Sequence, residues 1–256
     1  MASAIVGGVL KAGLYRAADI IAGEIDPGRR EQVSSEYGIT TVERNLEAAA
    51  AAPVLVLAVK PQNLPQVSED LRGQMPHDPL VLSILAGCSI EKLHTYLGVG
   101  LPVVRAMPNL PAQIGKGISA LASSEEVSPE QLNLARSIFS TVGEILSIPE
   151  TLMDSVTALS ASGPGFVYRL MEAFASAGER LGLPKATAQR LTLHTFIGAA
   201  SLLSESGQTP AELREKVSSP GGTTAAGLEV MKQERIDNLI RQVLARAHDR
   251  ARELGE

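Results

Sequence analysis

The chain has 256 residues, 45% of them hydrophobic and 20% charged, with no Trp; this length and balance fit one large or two modest globular domains with cores of Ala, Leu, Val and Ile. A formal net charge of -5 with no run of Lys and Arg excludes a binder of the nucleic-acid backbone, which needs a basic face. No segment of about 18 unbroken apolar residues is present to span a membrane as a helix, and the single cysteine, Cys88, cannot pair within the chain, which points to a reducing cytoplasm.

The chain opens on MASAIVGGVLKAGL, with Ile5, Val6, Val9 and Leu10 on one face and Gly13 as a stop, which predicts a helix from the first residue. No basic leader precedes its apolar part, so it does not read as a signal peptide. Short apolar runs then alternate with helical patterns. The runs are IIAGEI (20–25), VLVLAV (54–59), LVLSILAG (80–87), PVVRAMP (102–108), GISALAS (117–123) and GEILSI (143–148). Most are nearly continuous in Val, Ile and Leu, as strands buried on both faces are. Between them, EAAAAAP (47–53) reads as a helix end. SIEKLHTYLG and SPEQLNLARSIFSTVG each open on a serine placed to cap a helix. The alternation predicts βαβ units on a mostly parallel α/β sheet.

After Ile148 the strand signal stops. Val156, Leu159, Phe166, Val167, Leu170, Ala173, Ala177 and Leu181 recur at helical spacing, and a second long helix is predicted from Pro184 to Ser206, closed by Gly207. Both are apolar over more than one stripe. A helical domain of about a hundred residues has little interior of its own, so a second subunit is the expected cover. The domain boundary is placed at 149/150.

Four stretches, LAVKPQ (57–62), VVRAMPN (103–109), LSASGPGFVY (159–168) and VSSPGGTTAAGL (217–228), in this order and spacing resemble the pyrroline-5-carboxylate reductase family over essentially the whole chain. The resemblance implies a Rossmann-type dinucleotide domain, residues 1–149, followed by an all-α dimerisation and substrate domain, 150–256. It also implies hydride transfer from NADPH or NADH to the C=N carbon of a cyclic imino acid, giving proline. In many members the homodimers assemble further, into decamers. Family members begin with a strand and a G-x-G-x-M turn, and Met1 aligns with the Met of that turn. The half dozen apolar side chains of such a strand contribute roughly 1.5–3 kcal/mol each, comparable with a domain's whole net stability of about 5–15 kcal/mol. The native start is therefore expected upstream of Met1, with weak dinucleotide binding for residues 1–256 alone. Milder departures are Ala161 for Gly, Gly165 for Ala and Leu110 for Thr.

The site residues follow in part from the residues themselves and in part from the family. Ser219-Pro220-Gly221-Gly222-Thr223-Thr224 places hydroxyls and bare N–H donors at a helix start, which carries roughly half a positive charge and accepts anions. Taken alone, these residues also read as a capped helix after a tight turn. Ser219 and the backbone of Gly222 and Thr223 are expected to hold the substrate carboxylate. The resemblance gives Thr224 the hydroxyl at the imine nitrogen, and so the catalytic position. It sets Ala58, Val59, Lys60 and Pro61 along the coenzyme, Asn45 near its adenosine end, and Ala86, Met107, Pro108 and Asn109 against the nicotinamide. It also sets Glu150 near the substrate. Glu24, at the end of the second family strand, suits ribose hydroxyls and repels a 2′-phosphate; Arg29 and Arg30 stand close enough to offset it. Ser162-Gly163-Pro164 reads as a backbone break before a long helix. The four histidines have no metal-ligand spacing, and no metal is expected. Two alternatives stand beside the imine reductase: a two-domain hydroxy-acid dehydrogenase, for which Lys185 and His194 are poor catalysts, and a dimeric pseudoenzyme without the glycine turn.

Overall fold

A computed structural model describes residues 1–255. The first element is α1 (Ala2–Lys11), followed by β1 (Ile21–Gly23), α2 (Pro27–Tyr37), β2 (Thr40–Val42), α3 (Asn45–Ala50), β3 (Val54–Leu57), α4 (Leu64–Leu71), β4 (Leu80–Ser83) and α5 (Ile90–Leu97). Next come β5 (Val103–Pro108), β6 (Gly117–Ser123), α6 (Pro129–Ser140) and β7 (Gly143–Ser147). The remainder is helical: α7 (Met153–Val156), α8 (Gly163–Arg180), α9 (Lys185–Ser206), α10 (Pro210–Lys216), α11 (Thr223–Gln233) and α12 (Ile236–Gly255).

All six predicted strands are present, each within a residue or a few of its predicted ends. The strand the pattern does not reveal is β2. It has three residues, Thr40-Thr41-Val42, flanked by Glu43 and Arg44 and only half covered. That is too short and too polar for an apolar run to announce it.

The strands form two sheets. β1 and β2 pair in parallel, and β3-β4-β5-β6-β7 lie in that order. Within the larger sheet only the β5/β6 pair is antiparallel. The central strands are covered on both faces because their side chains alternate between two cores. Val81 and Val103 join Leu64, Leu71, Leu93 and Leu97 on one face. Leu80, Leu82, Val104 and Ala106 join Ile5, Val9, Ile138 and Phe139 on the other. Each of these buried aliphatic side chains contributes on the order of 1.5–3 kcal/mol.

The chain divides into two compact units, Met1–Ser162 joined by the residues from Ala247 on, and Gly163–Arg246. The division lies beyond the expected 149/150 boundary. Met153 is fully buried with Met107, Ala120 and Ala122, so the chain is still part of the first unit there. It leaves through a π-helical turn, Thr157–Ala161, closed by the Ser162 N–H donating to the Thr157 carbonyl at 2.9 Å. The backbone break expected at Ser162-Gly163-Pro164 is this turn giving way to α8.

In the second unit, α8 and α9 pack on each other, with Phe174 and Phe196 edge to face at 5.3 Å. α9 runs over the predicted span and ends at Gly207, φ 67°.

Candidate active site

In the first unit the predicted coenzyme residues gather at the C-terminal ends of the strands. Ala58 and Val59 follow β3 and are half-buried, and Lys60-Pro61 open a short 3-10 turn. Among the described residues the exposed Lys60 side chain has no hydrogen-bond or ion-pair partner, which leaves a free cation at the sheet edge. Ala86 follows β4, and Met107-Pro108 close β5. Met107 is a core residue, packed with Met153 and Ala86. The Asn109 side chain accepts from the Ile118 N–H at 2.9 Å, so it ties β5 to β6.

A second group forms at β1. Asn45, the first residue of α3, sits so close to Gly23 that a Cβ there would lie 3.0 Å from its Oδ1. The next residue, Glu24, accepts the Asp26 N–H at 3.1 Å. Both neighbouring arginines are engaged. Arg30 donates to the Glu24 and Ile25 carbonyls at 2.8 and 3.0 Å and meets Glu43 at 3.5 Å. Arg29 donates to Ser3 Oγ at 2.9 Å.

These residues fit a dinucleotide. The first turn of α1 carries no acidic residue and no side-chain cap, so its leading N–H groups are available to an anion. Ligands of open α/β sheets bind where these strand ends lie.

Glu150 is committed within the same unit. Its Oε1 accepts the Ile90 N–H at 2.7 Å and Arg105 Nη1 at 3.2 Å. Arg105 is buried in β5 with its Nε unpartnered among the described residues. Sequence reasoning passed over Arg105. The available signal was a lone guanidinium inside the apolar run VVRAMP, because a buried charge requires a partner. Cys88 lies nearby. Burial pushes its thiol pKa up, against the opposing pull of Lys92 and Arg105.

In the second unit, Ser219 to Thr224 form one compact loop. The Gly222 N–H donates to the Ser219 carbonyl at 2.9 Å, with Pro220 and Gly221 (φ 72°) at the turn's two central positions. That is the arrangement of a type II turn, in which glycine takes the left-handed place. A Cβ on Gly222 would lie 3.0 Å from the Ser219 carbonyl and would push the Ser219 hydroxyl aside, so a side chain there crowds the turn. Gly222 is the N-cap of α11, where no side chain caps the helix and no acidic residue stands in the first turn. The first N–H groups of α11 are therefore free of a side-chain acceptor, with Thr223 and Thr224 in the same turn, the kind of helix start that can take an anion without a formal cation. Lys185 and His194 lie on α9, outside this loop.

The helical part, residues 150–254, matches the family described as pyrroline-5-carboxylate reductase dimerisation. Residues 1–87 match the family described as NADP oxidoreductase coenzyme F420-dependent. The chain is similar to a pyrroline-5-carboxylate reductase of Synechocystis sp., 42% identical over 100% of this chain and 95% of that protein. Among solved structures, it resembles a pyrroline-5-carboxylate reductase from Coxiella burnetii with a TM-score of 0.93 at 35% identity, covering 100% of this chain and 95% of that one. It also resembles a Plasmodium falciparum pyrroline carboxylate reductase with NADP bound, TM-score 0.88 at 27% identity, covering 99% and 94%. With strand ends fit for a dinucleotide, a helical part that matches the dimerisation family, and relatives matched from end to end, the chain belongs to the pyrroline-5-carboxylate reductase family.

Proposed function

We propose that this protein reduces L-1-pyrroline-5-carboxylate to L-proline with NADPH or NADH, the last step of proline biosynthesis. The observation that carries this reading is the Ser219–Thr224 loop, whose uncapped N–H donors and free hydroxyls suit a carboxylate beside an imine. The bound coenzyme supplies a hydride for the C=N carbon, and the imine nitrogen becomes the amine of proline after taking up a proton. Ser219 and the backbone at Gly222 and Thr223 hold the carboxylate. Thr224 then has its hydroxyl within reach of the ring nitrogen, where it orients the imine and keeps a proton path short. The iminium is already an electrophile, so the protein contributes orientation rather than a strong acid.

Lys60 and the residues at Ala58, Val59, Pro61, Ala86 and Asn109 line the coenzyme, with buried Met107 and Pro108 backing its nicotinamide end from the core and Glu24 and Asn45 at the adenosine ribose. The Glu24 carboxylate suits the ribose hydroxyls of NADH, while Arg30, held on the Glu24 and Ile25 carbonyls, keeps a positive charge beside it that suits a 2′-phosphate, so both coenzymes stay within the reading.

The exposed apolar side chains of the helical unit, among them Phe174 at 55% and Leu202 at 56%, support a homodimer through α8 and α9. Assembly of dimers into a decamer and a cytoplasmic location complete the reading; the buried, unpaired Cys88 thiol suits a reducing compartment.

The test is coenzyme oxidation with pyrroline-5-carboxylate beside 2-keto acids. Consumption with the imine alone is the expected result. Turnover of keto acids with none of the imine would assign a hydroxy-acid dehydrogenase instead.

A further inference from the structure

Both passages of the chain between its two units are anchored, within the first unit, on one short segment. The outgoing passage begins at Glu150, whose carboxylate accepts the Ile90 N–H at the start of α5 and the buried Arg105 guanidinium. The returning passage ends in the last turn of α12. There the Gly255 carbonyl accepts Lys92 Nζ at 2.9 Å, and the Leu254 carbonyl lies 2.7 Å from where a Cβ on Gly87 would stand. Gly87 has φ 72°, so it is closed to side chains by conformation as well as by space. Residues 87–92 are thus fastened at three points, and the loop they continue carries Ala86 from the end of β4.

We propose that Glu150 is a positioning residue: paired with Arg105, and together with the α12 end on Lys92, it sets the Ala86–Gly87 loop against the nicotinamide and does not bind the imino acid. The assignment rests on the coenzyme placement proposed above. Glu150 has no free choice of partner. Arg105 is 4% exposed, its guanidinium donates to this carboxylate, and a buried guanidinium left without its counter-ion is strongly unfavourable. Arg105 rises from β5 on the face of Val103, the face that α5 covers. The pair therefore couples the middle of the sheet directly to the first backbone N–H of α5. Displacing that turn moves the coenzyme loop, and hydride transfer is sensitive to displacements of an ångström.

The experiment compares Glu150→Gln and Lys92→Met with the wild type by amide hydrogen exchange of residues 84–92 without coenzyme, by NADH and NADPH titration, and by steady-state kinetics on both substrates. Gln keeps an acceptor for the Ile90 N–H but removes the negative charge from Arg105. Lys92→Met releases the α12 end without touching Glu150, so it tests the anchoring if the first variant folds poorly. The expected result for both is faster exchange over residues 84–92, weaker coenzyme binding and a kcat lowered on the order of 10- to 100-fold, with KM for the imine unchanged. A raised KM for the imine with exchange and coenzyme binding intact would make Glu150 a substrate ligand and overturn the assignment. A lowered Tm with unaltered exchange and kcat per folded molecule would overturn it too. If the wild type bound coenzyme but reduced no imine, the proposed reaction would fail, while exchange and titration would still decide the positioning role.

Discussion

At the scale of single residues, the sharpest division is between side chains that are free and side chains already engaged. The Thr224 hydroxyl has no hydrogen-bond partner among the described residues and stands at an uncapped helix start. Thr224→Ala is therefore expected to lower kcat by about 10- to 100-fold with dinucleotide affinity retained, measured by turnover beside NADPH titration. Glu24, proposed to stand at the ribose, accepts the Asp26 N–H and has Arg30 on its own carbonyl. Glu24→Ser is expected to move the NADPH:NADH ratio of kcat/KM upward by about tenfold, the equivalent of ~1.4 kcal/mol; an unchanged ratio would remove Glu24 from coenzyme choice. The turn at Ser219–Gly222 and the helix start at Thr223 were legible in the sequence, because glycines, prolines and hydroxyls at a helix start announce themselves by local chemistry alone. The partners of Glu150 were not legible. Its contacts with Ile90 and Arg105 span 60 and 45 residues, and no local pattern records which distant atoms a carboxylate will meet.

The elements follow the same logic of local against distant information. α6 is announced by Ser128, and the structure completes the signal as a reciprocal capping box. The Gln131 N–H donates to Ser128 Oγ at 3.2 Å, and the Ser128 N–H donates to Gln131 Oε1 at 2.9 Å. Ser128→Ala is expected to cost about 0.5–2 kcal/mol, read as a lowered midpoint in reversible denaturation with kinetics at 25 °C unaffected. α6 carries Phe139, fully buried, so fraying of its first turn is opposed by packing further along. The long strands were legible because a short continuous apolar run between turn residues is what a strand covered on both faces requires. β2 was not, because a three-residue strand on a two-stranded sheet is fixed by its pairing with β1 rather than by its own composition.

For the whole molecule, the sequence shows two kinds of half, one alternating and one helical, and the change of periodicity near residue 150 does not coincide with the packing division after Ser162. A change of periodicity marks where strands end. It does not mark where packing ends, and the buried Met153 carries the first unit past that change. The helical half also leaves Leu191 54% and Ile197 50% exposed on α9, a surface that a second copy would cover. Leu191→Glu is expected to shift the protein toward monomer in sedimentation at low micromolar concentration; a sedimentation coefficient unchanged from the wild type would place the dimer surface elsewhere.

The bond from Lys92 to Gly255 joins residues 163 positions apart. At a synthesis rate of about 5–20 residues per second, the α5 turn must wait on the order of ten to thirty seconds for its partner to be made. The first unit thus gains this contact only after every element from β5 to α12 has been made.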